Sequence, residues 1–259
     1  MKAEIISIGT ELLMGEIVNT NAKYIAEKLQ EVGVDLLYQT TVGDNEARII
    51  ECLDIAFNRV DIVITTGGLG PTIDDRTKEV VSKYYNKDLI IVESYYNKVV
   101  EKYNERGYEI VEGAKKESSI IENSIILNNS VGLAPGLLYE NDGKKLFVLP
   151  GPPKEMEPMM SNEVLPHLKE ISNDVLLTKI IEVTGVPEGK IDEDLKNYFN
   201  MSNPTVAPYA KEKSIHIRVA IKGNIDNRVA LEKRLDDLVF EIKSHYPTAI
   251  ILNYKNFEK

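Results

Sequence analysis

Asp74 and Asp75 stand side by side just beyond a glycine-rich turn, in Asp61-Ile-Val-Ile-Thr-Thr-Gly-Gly-Leu-Gly-Pro-Thr-Ile-Asp-Asp-Arg-Thr77. Gly67, Gly68 and Gly70 carry no Cβ, so backbone there can approach a ligand closely and offer N–H groups to phosphate oxygens. Pro71 and Thr72 suit a helix start, with both carboxylates in or near its first turn. A helix N-terminus behind glycines is an anion site. Adjacent carboxylates repel a phosphate, and a divalent cation resolves the conflict, because hard cations take carboxylate and phosphate oxygens together. The same residues fit equally well a capped helix behind a tight turn, with Asp74 and Asp75 complementing the helix dipole.

The surrounding pattern alternates strand and helix. Ile5 to Ile8, Val34 to Thr41 and Ile62 to Thr65 read as strands. Between them lie helices carrying Tyr24, Ile25, Ala26 and Leu29, and then Ile49, Ile50, Leu53 and Phe57. Asn19-Thr20-Asn21 offers caps for the first helix and Val42-Gly43-Asp44-Asn45 a turn and cap for the second, capping being the first reading of Thr20, Asn21 and Asp44, and Gly33 reads as a left-handed helix end. This βαβαβ rhythm predicts an α/β fold, a mostly parallel sheet with helices on both faces. Ligands of such folds sit beyond the carboxyl ends of the strands. Gly9-Thr10-Glu11, Thr66-Gly67-Gly68 and Pro150-Gly151-Pro152 each follow an apolar strand run, so these loops are expected to converge on that edge.

Composition narrows the function. The formal net charge of −10 leaves no basic excess for nucleic acid or an anionic membrane, although a small phosphorylated ligand needs only a local field. No apolar run reaches the ~20 residues that span a bilayer, and the first residues read as a strand, so a cytoplasmic protein is expected. Cys52 is the only cysteine and reads as a buried structural thiol. His167, His216 and His245 are scattered without metal-ligand spacing.

Further along, a tyrosine-rich stretch over 84–108 reads as helical packing and as an interface. Leu137–Tyr139 and Leu146–Leu149 predict a hairpin around Asn141-Asp142-Gly143. A closing helix is expected over 155–168. The pattern then changes near residue 171. Strands at 176–184, 215–221 and 249–252, with helices at 191–199 and 228–244, predict a small α+β domain. The expected domains are 1–170 and 171–259.

Seven segments together resemble the CinA family in order and rough spacing. They are Ile8-Gly-Thr-Glu-Leu-Leu-Met-Gly15, Val18-Asn-Thr-Asn21, Thr41-Val-Gly-Asp44, Thr65-Thr-Gly-Gly-Leu-Gly-Pro-Thr72, Gly132-Leu-Ala-Pro-Gly136, Phe147-Val-Leu-Pro-Gly-Pro-Pro-Lys-Glu-Met156 and Asn203-Pro-Thr-Val-Ala-Pro-Tyr-Ala-Lys211. The resemblance implies a MoaB/MogA-like, molybdopterin-binding-fold domain followed by the small α+β domain. It implies an ADP-ribose pyrophosphatase, dependent on a divalent metal (Mg2+ or Co2+) and K+, acting as a homodimer. A molybdopterin-binding or adenylyl-transfer protein and a non-catalytic nucleotide-binding module stand as alternatives on the same fold. Such proteins often carry a later amidase domain, for which these residues give no basis.

Hydrolysis of a P–O–P bond needs metal and positive groups on the phosphates and an oriented water. On this reading Asp74 and Asp75 bind or orient metal and water, with Glu11 on a facing loop as the next catalytic candidate. Gly67, Gly68, Gly70, Thr66, Gly151 and Pro152 present backbone to the phosphates. Lys116 and Lys154 are candidate phosphate contacts, and Asn21 and Asp44 candidate nucleotide contacts.

Overall fold

The computed structural model describes residues 1–253; positions 254–259, the end of the expected second domain, lie outside the described residues. The chain divides into two compact units. The first comprises Met1–Gln30 and Val34–Ser172; the second takes Glu31–Gly33 and the chain from Asn173 on.

The first unit runs β1 (Lys2–Ile8), α1 (Thr10–Leu13), α2 (Thr20–Glu31), β2 (Asp35–Val42), α3 (Glu46–Phe57), β3 (Ile62–Thr66), α4 (Thr77–Tyr85), β4 (Leu89–Ile91), α5 (Glu93–Glu105), α6 (Glu112–Glu117), β5 (Ser119–Ile121), β6 (Ile125–Leu127), β7 (Gly136–Asn141), β8 (Lys144–Leu149), α7 (Pro153–Met159) and α8 (Leu165–Ile171). Its main sheet has the order β2-β1-β3-β8-β7-β6. The first four strands are parallel, and β7 and β6 complete the sheet antiparallel. The hairpin joining β7 to β8 turns through Asp142 and Gly143, at φ 48° and 76°, the left-handed pair that a tight two-residue turn requires.

Strand alternation divides the core. Ile6, Ile8, Val63, Leu146 and Val148 cluster with Ile49, Leu53, Val80 and Val81 of α3 and α4. The intervening residues Ile5, Ile62, Ile64, Phe147 and Leu149 are buried on the opposite face, as are Ile25 and Leu29 of α2. A sheet buried on both sides explains why β3 reads as a continuous apolar run. Tyr84 and Tyr85 join Phe57 and Tyr139 in an aromatic cluster within this core. Cys52 is only half-buried, and burial pushes its thiol up.

Two expectations change here. The closing helix is split by a π-turn over Met160–Val164, because Pro158 and Pro166 cannot donate to the preceding turn. The caps settle on one residue of each expected segment. Asn19 caps α2, accepting from the Ala22 amide at 3.0 Å, and Asn45 caps α3, accepting from Arg48 at 3.1 Å. Thr20, Asn21 and Asp44 are therefore released from capping those helices.

The second unit runs β9 (Asp174–Val183), α9 (Glu188–Leu195), β10 (Thr205–Ala210), β11 (Ile215–Asn224), α10 (Arg228–Ser244) and β12 (Ile250–Asn253). Its sheet, β10-β11-β9-β12, is antiparallel throughout. The sequence pattern missed β10, because Pro208 lies inside it; the strand tolerates the proline by lying at the sheet edge. Helix α9 begins at Glu188, behind Pro187, one turn earlier than expected.

Charge also enters the core of the first unit. Glu4, 1% exposed on the central strand β1, accepts from Arg59 Nε at 2.9 Å and from its terminal nitrogen at 2.8 Å. Thr40 donates to the same carboxylate at 2.6 Å, and the Arg59 guanidinium lies 3.6 Å from the Tyr38 ring centre. Removing one partner of a buried pair strands the other charge. Arg59→Met is expected to cost about 3–5 kcal/mol in urea unfolding. The double variant Glu4→Leu/Arg59→Met should recover most of that loss; equal losses in the two proteins would refute the pair's role.

Candidate functional site

The loops after β1, β3 and β8 meet at the carboxyl edge of the parallel strands, around a cavity of about 1050 Å³. Thr66, Gly67, Gly68, Gly70, Asp74, Asp75, Glu11, Asp44, Asn21, Gly151 and Pro152 all line it. The expected convergence is therefore present. Lys116 and Lys154 are absent from the lining. Lys154 is exposed, while Lys116 donates to the Thr72 carbonyl at 2.9 Å and pairs with Glu79 at 3.0 Å. Lys116 thus braces a loop.

The glycine-rich turn differs from its expected form. Helix α4 begins at Thr77, so Asp74 and Asp75 precede it and do not occupy its first turn. The cause is a clasp. The Thr77 hydroxyl donates to the Gly67 carbonyl at 2.8 Å, and its amide donates to the Gly68 carbonyl at 3.1 Å. The helix start is drawn back onto the glycine turn, and residues 69–76 leave as a loop over the cavity.

Gly67 serves packing. Its amide is committed to the Leu149 carbonyl at 3.0 Å, so it is not a phosphate donor. Its φ is 106°, and a Cβ there would run into the carbonyl oxygen of Ile8. Gly68, at φ 68°, has no room for a Cβ beside the Thr77 hydroxyl. Gly70 packs against the Asp75 carboxylate.

Each acidic side chain has its own setting. Asp75 accepts from the Thr72 amide at 3.1 Å and hydroxyl at 2.5 Å, which closes the loop on itself and occupies one carboxylate oxygen. Asp74 is exposed, with no hydrogen bond or ion pair among the described residues. Asp44 accepts from the Thr10 amide at 2.9 Å and hydroxyl at 2.8 Å, joining two loops and capping α1. Glu11 folds back over Gly9. Asn21 donates to the Gly151 carbonyl at 2.7 Å, fixing the loop after β8.

Sequence reasoning missed three groups. Glu155 lines the cavity and accepts at 2.7 Å from Asn129, whose side-chain oxygen takes the Val131 and Gly132 amides at 3.1 and 2.7 Å. Glu117 lines it too, and burial raises its pKa, with Glu155 and Asp75 adding and Lys78 opposing. Lys78, 2% exposed, donates to the Glu117 carbonyl at 2.8 Å; burial lowers its pKa to about 8. The available signals were positional. Glu155 lies within Gly-Pro-Pro-Lys-Glu, and Lys78 shares a helix face with the buried Val81.

The lining therefore contains six carboxylates, Glu11, Asp44, Asp74, Asp75, Glu117 and Glu155, and no lysine, arginine or histidine among the described residues. No three of the described His, Cys, Asp or Glu side chains converge closely enough to hold a metal by themselves. Any cation held here must take further ligands from water or from the bound molecule, as Mg2+ does when it binds through one or two carboxylates and substrate phosphates.

Residues 4–170 match the family model described as "Probable molybdopterin binding domain", and residues 178–250 match the "Damage-inducible protein CinA KH domain". A CinA-like protein of Kosmotoga olearia is 45% identical over 244 residues, covering 94% of this chain and 59% of its own length. A CinA-like protein of Dictyoglomus turgidum is 42% identical with the same coverage. The chain thus spans about three fifths of the curated relatives it matches. A crystal structure of the protein CinA, of unknown function, from Thermoplasma acidophilum is 36% identical, with a TM-score of 0.57. That match covers 62% of this chain and 94% of the other. No helix among the described residues is long and apolar enough to cross a membrane.

Gly67→Ala tests the tight turn. The strained dihedral alone is expected to cost about 1–3 kcal/mol, and the clash with β1 adds to it. Thermal unfolding of the variant at the parental midpoint would show that the backbone can yield there.

Proposed function

The chain belongs to the CinA family, and we propose that its first unit is a metal- and potassium-dependent pyrophosphatase. Its substrate is ADP-ribose or a similar nucleotide diphosphate, and its products are AMP and ribose 5-phosphate. One observation carries the reading: a cavity of about 1050 Å³ lined by six carboxylates and no basic side chain among the described residues. A bare polyanion is repelled from such a surface, whereas a pyrophosphate brought in with cations is attracted to it. The volume sits at the upper end of small-molecule sites, ~300–1,000 Å³, which suits a dinucleotide-sized ligand better than an isolated phosphate.

The donor chemistry fits a hard cation. Asp74, uncommitted and exposed, is the first residue that would hold it, with the remaining oxygen of Asp75 as the second. Bound there, Mg2+ or Co2+, with K+, would supply the positive charge that the leaving phosphate requires. The protein's own groups do the rest. The amides of Gly68 and Gly70 face phosphate oxygens. Asn21 holds Gly151, and Asp44 holds Thr10, so the loops on either side stay in place. Glu11 orients water from the facing loop.

The description of the matched family favours one second reading, a pterin-phosphate binder or adenylyl-transfer protein on the same loops. Release of AMP from ADP-ribose separates the two. With K+ and Mg2+ or Co2+, AMP release is expected and chelator abolishes it. Asp74→Asn should lower it about 10²-fold or more with an unchanged thermal midpoint. Folded protein that releases no AMP with either metal would leave the pterin reading in place.

A further inference from the structure

We propose that Ile17 and Val18, on the segment between α1 and α2, seat the base of the bound nucleotide and so fix which end of it lies on that side of the cavity. That the ligand is a nucleotide rests on the pyrophosphatase reading; the base seat is added to it.

The segment is unusual in its exposure. Leu13 and Ile17 are half exposed, and Met14 and Val18 are 71% and 83% exposed. Single apolar side chains at a surface are ordinary, whereas a contiguous group of them marks a place where something binds. Nor is the backbone loose. The Met14 amide donates to the Thr10 carbonyl at 3.0 Å, that of Glu16 to Glu11 at 3.0 Å and that of Thr20 to Val18 at 2.8 Å. Gly15, at φ 73°, makes the turn between them. A formed backbone therefore holds these side chains outward. Ile17 and Val18 line the same cavity as Asp74 and Asp75, so whatever covers them shares that cavity with the carboxylates.

The chemistry around them selects the occupant. The neighbouring side-chain amides are committed to the fold. Asn19 donates to the Ser7 hydroxyl at 2.8 Å and accepts from the Ala22 amide at 3.0 Å. Asn21 donates to the Gly151 carbonyl at 2.7 Å, and its oxygen is buried. What Ile17 and Val18 offer a ligand is apolar surface. The phosphates of a nucleotide diphosphate need cations and N–H donors, and its riboses need hydrogen-bond partners. Its base alone has broad faces that apolar side chains can cover. The base is also uncharged, so the carboxylates do not oppose its entry. Both side chains are β-branched and stiff, and little rotamer freedom is lost when a base settles on them. With the diphosphate at Gly68, Gly70 and Asp74, ADP-ribose lies with its adenosine toward the start of α2 and its second ribose away from it.

The chain has no tryptophan, so one introduced at position 18 reports on that place alone. Binding of AMP and of ribose 5-phosphate, with Mg2+ and K+, is measured by calorimetry for the full chain, Ile17→Ser and Val18→Ser, and the emission of Val18→Trp is followed. Each serine variant is expected to bind AMP about fivefold or more weakly, from lost apolar burial, and ribose 5-phosphate within about twofold of the parent. The KM for ADP-ribose should rise with the weakening of AMP, while the thermal midpoints stay in place, since both side chains are at the surface. AMP should quench Val18→Trp by stacking and bind it more tightly than the parent, and ribose 5-phosphate should leave the emission unchanged. Equal AMP affinity in the parent and both serine variants would put the base elsewhere and overturn the seat. Emission that AMP does not move overturns it too, as does emission that shifts only with protein concentration, which would mean that a second copy of the chain covers the segment. A parent that binds AMP in this way but releases none from ADP-ribose removes the pyrophosphatase reading and keeps the seat. An active parent whose serine variants match it does the reverse.

Discussion

The clasp of Thr77 on the carbonyls of Gly67 and Gly68 determines much of the site. It is fully buried, and it sets where the helix after β3 begins. Because that start is drawn back to the strand end, residues 69–76 must leave the path of the chain and return to it. The excursion lays Asp74 and Asp75 along the cavity wall. The clasp also sets the register of α4, which turns Lys78 inward beside Val81. A glycine is required on the strand side, because Gly68 approaches the Thr77 hydroxyl too closely for any side chain. The loop, the carboxylates and the buried cation thus follow from one pair of hydrogen bonds.

Electrostatics explain why the arrangement suits cations. Six carboxylates face one cavity, and water screens only part of the repulsion between like charges. The protein relieves some of it locally: Thr10, Thr72 and Asn129 each donate to one of these side chains. Such bonds hold a carboxylate in one rotamer and leave its outward charge intact. What remains is a surface of one sign of charge, with no basic side chain in its lining among the described residues. Lys78 lies outside this lining, buried and bonded to the Glu117 carbonyl.

The mostly parallel sheet and the convergence of loops were legible because they depend on periodicity and on glycine and proline placement, which are local properties. The π-turn after α7 and the edge strand β10 were hidden for the same reason: prolines at 158, 166 and 208 mark a break in local pattern without saying how the fold absorbs it. The start of α4 was misplaced because Pro71 and Thr72 carry a good local start signal, while the deciding bonds lie on Thr77. Asp44 and Asn21 read as caps because their residue type favours caps, whereas their partners, Thr10 and Gly151, come from distant segments. Lys78 offered least of all. An inward lysine and an outward one look alike in sequence, and only the packing of α4 distinguishes them.

Several departures from local rules lie at or beside the cavity of the first unit. Glu79 and Asn21 each keep a buried side-chain oxygen without a hydrogen-bond partner among the described residues. Lys78 is buried as a cation, Gly67 and Gly68 hold positive φ, and carboxylates crowd one cavity. Apart from the dihedrals of Gly67 and Gly68, which a residue without a Cβ adopts freely, each is unfavourable for folding alone. By contrast, the pair of Glu4 and Arg59 makes four contacts, two between its own members and one each with Thr40 and Tyr38. The fold is therefore able to satisfy a buried charge where stability is the only demand. At the cavity it does not do so: Asp74 has no hydrogen bond or ion pair, and Lys78 no carboxylate at ion-pair distance, among the described residues.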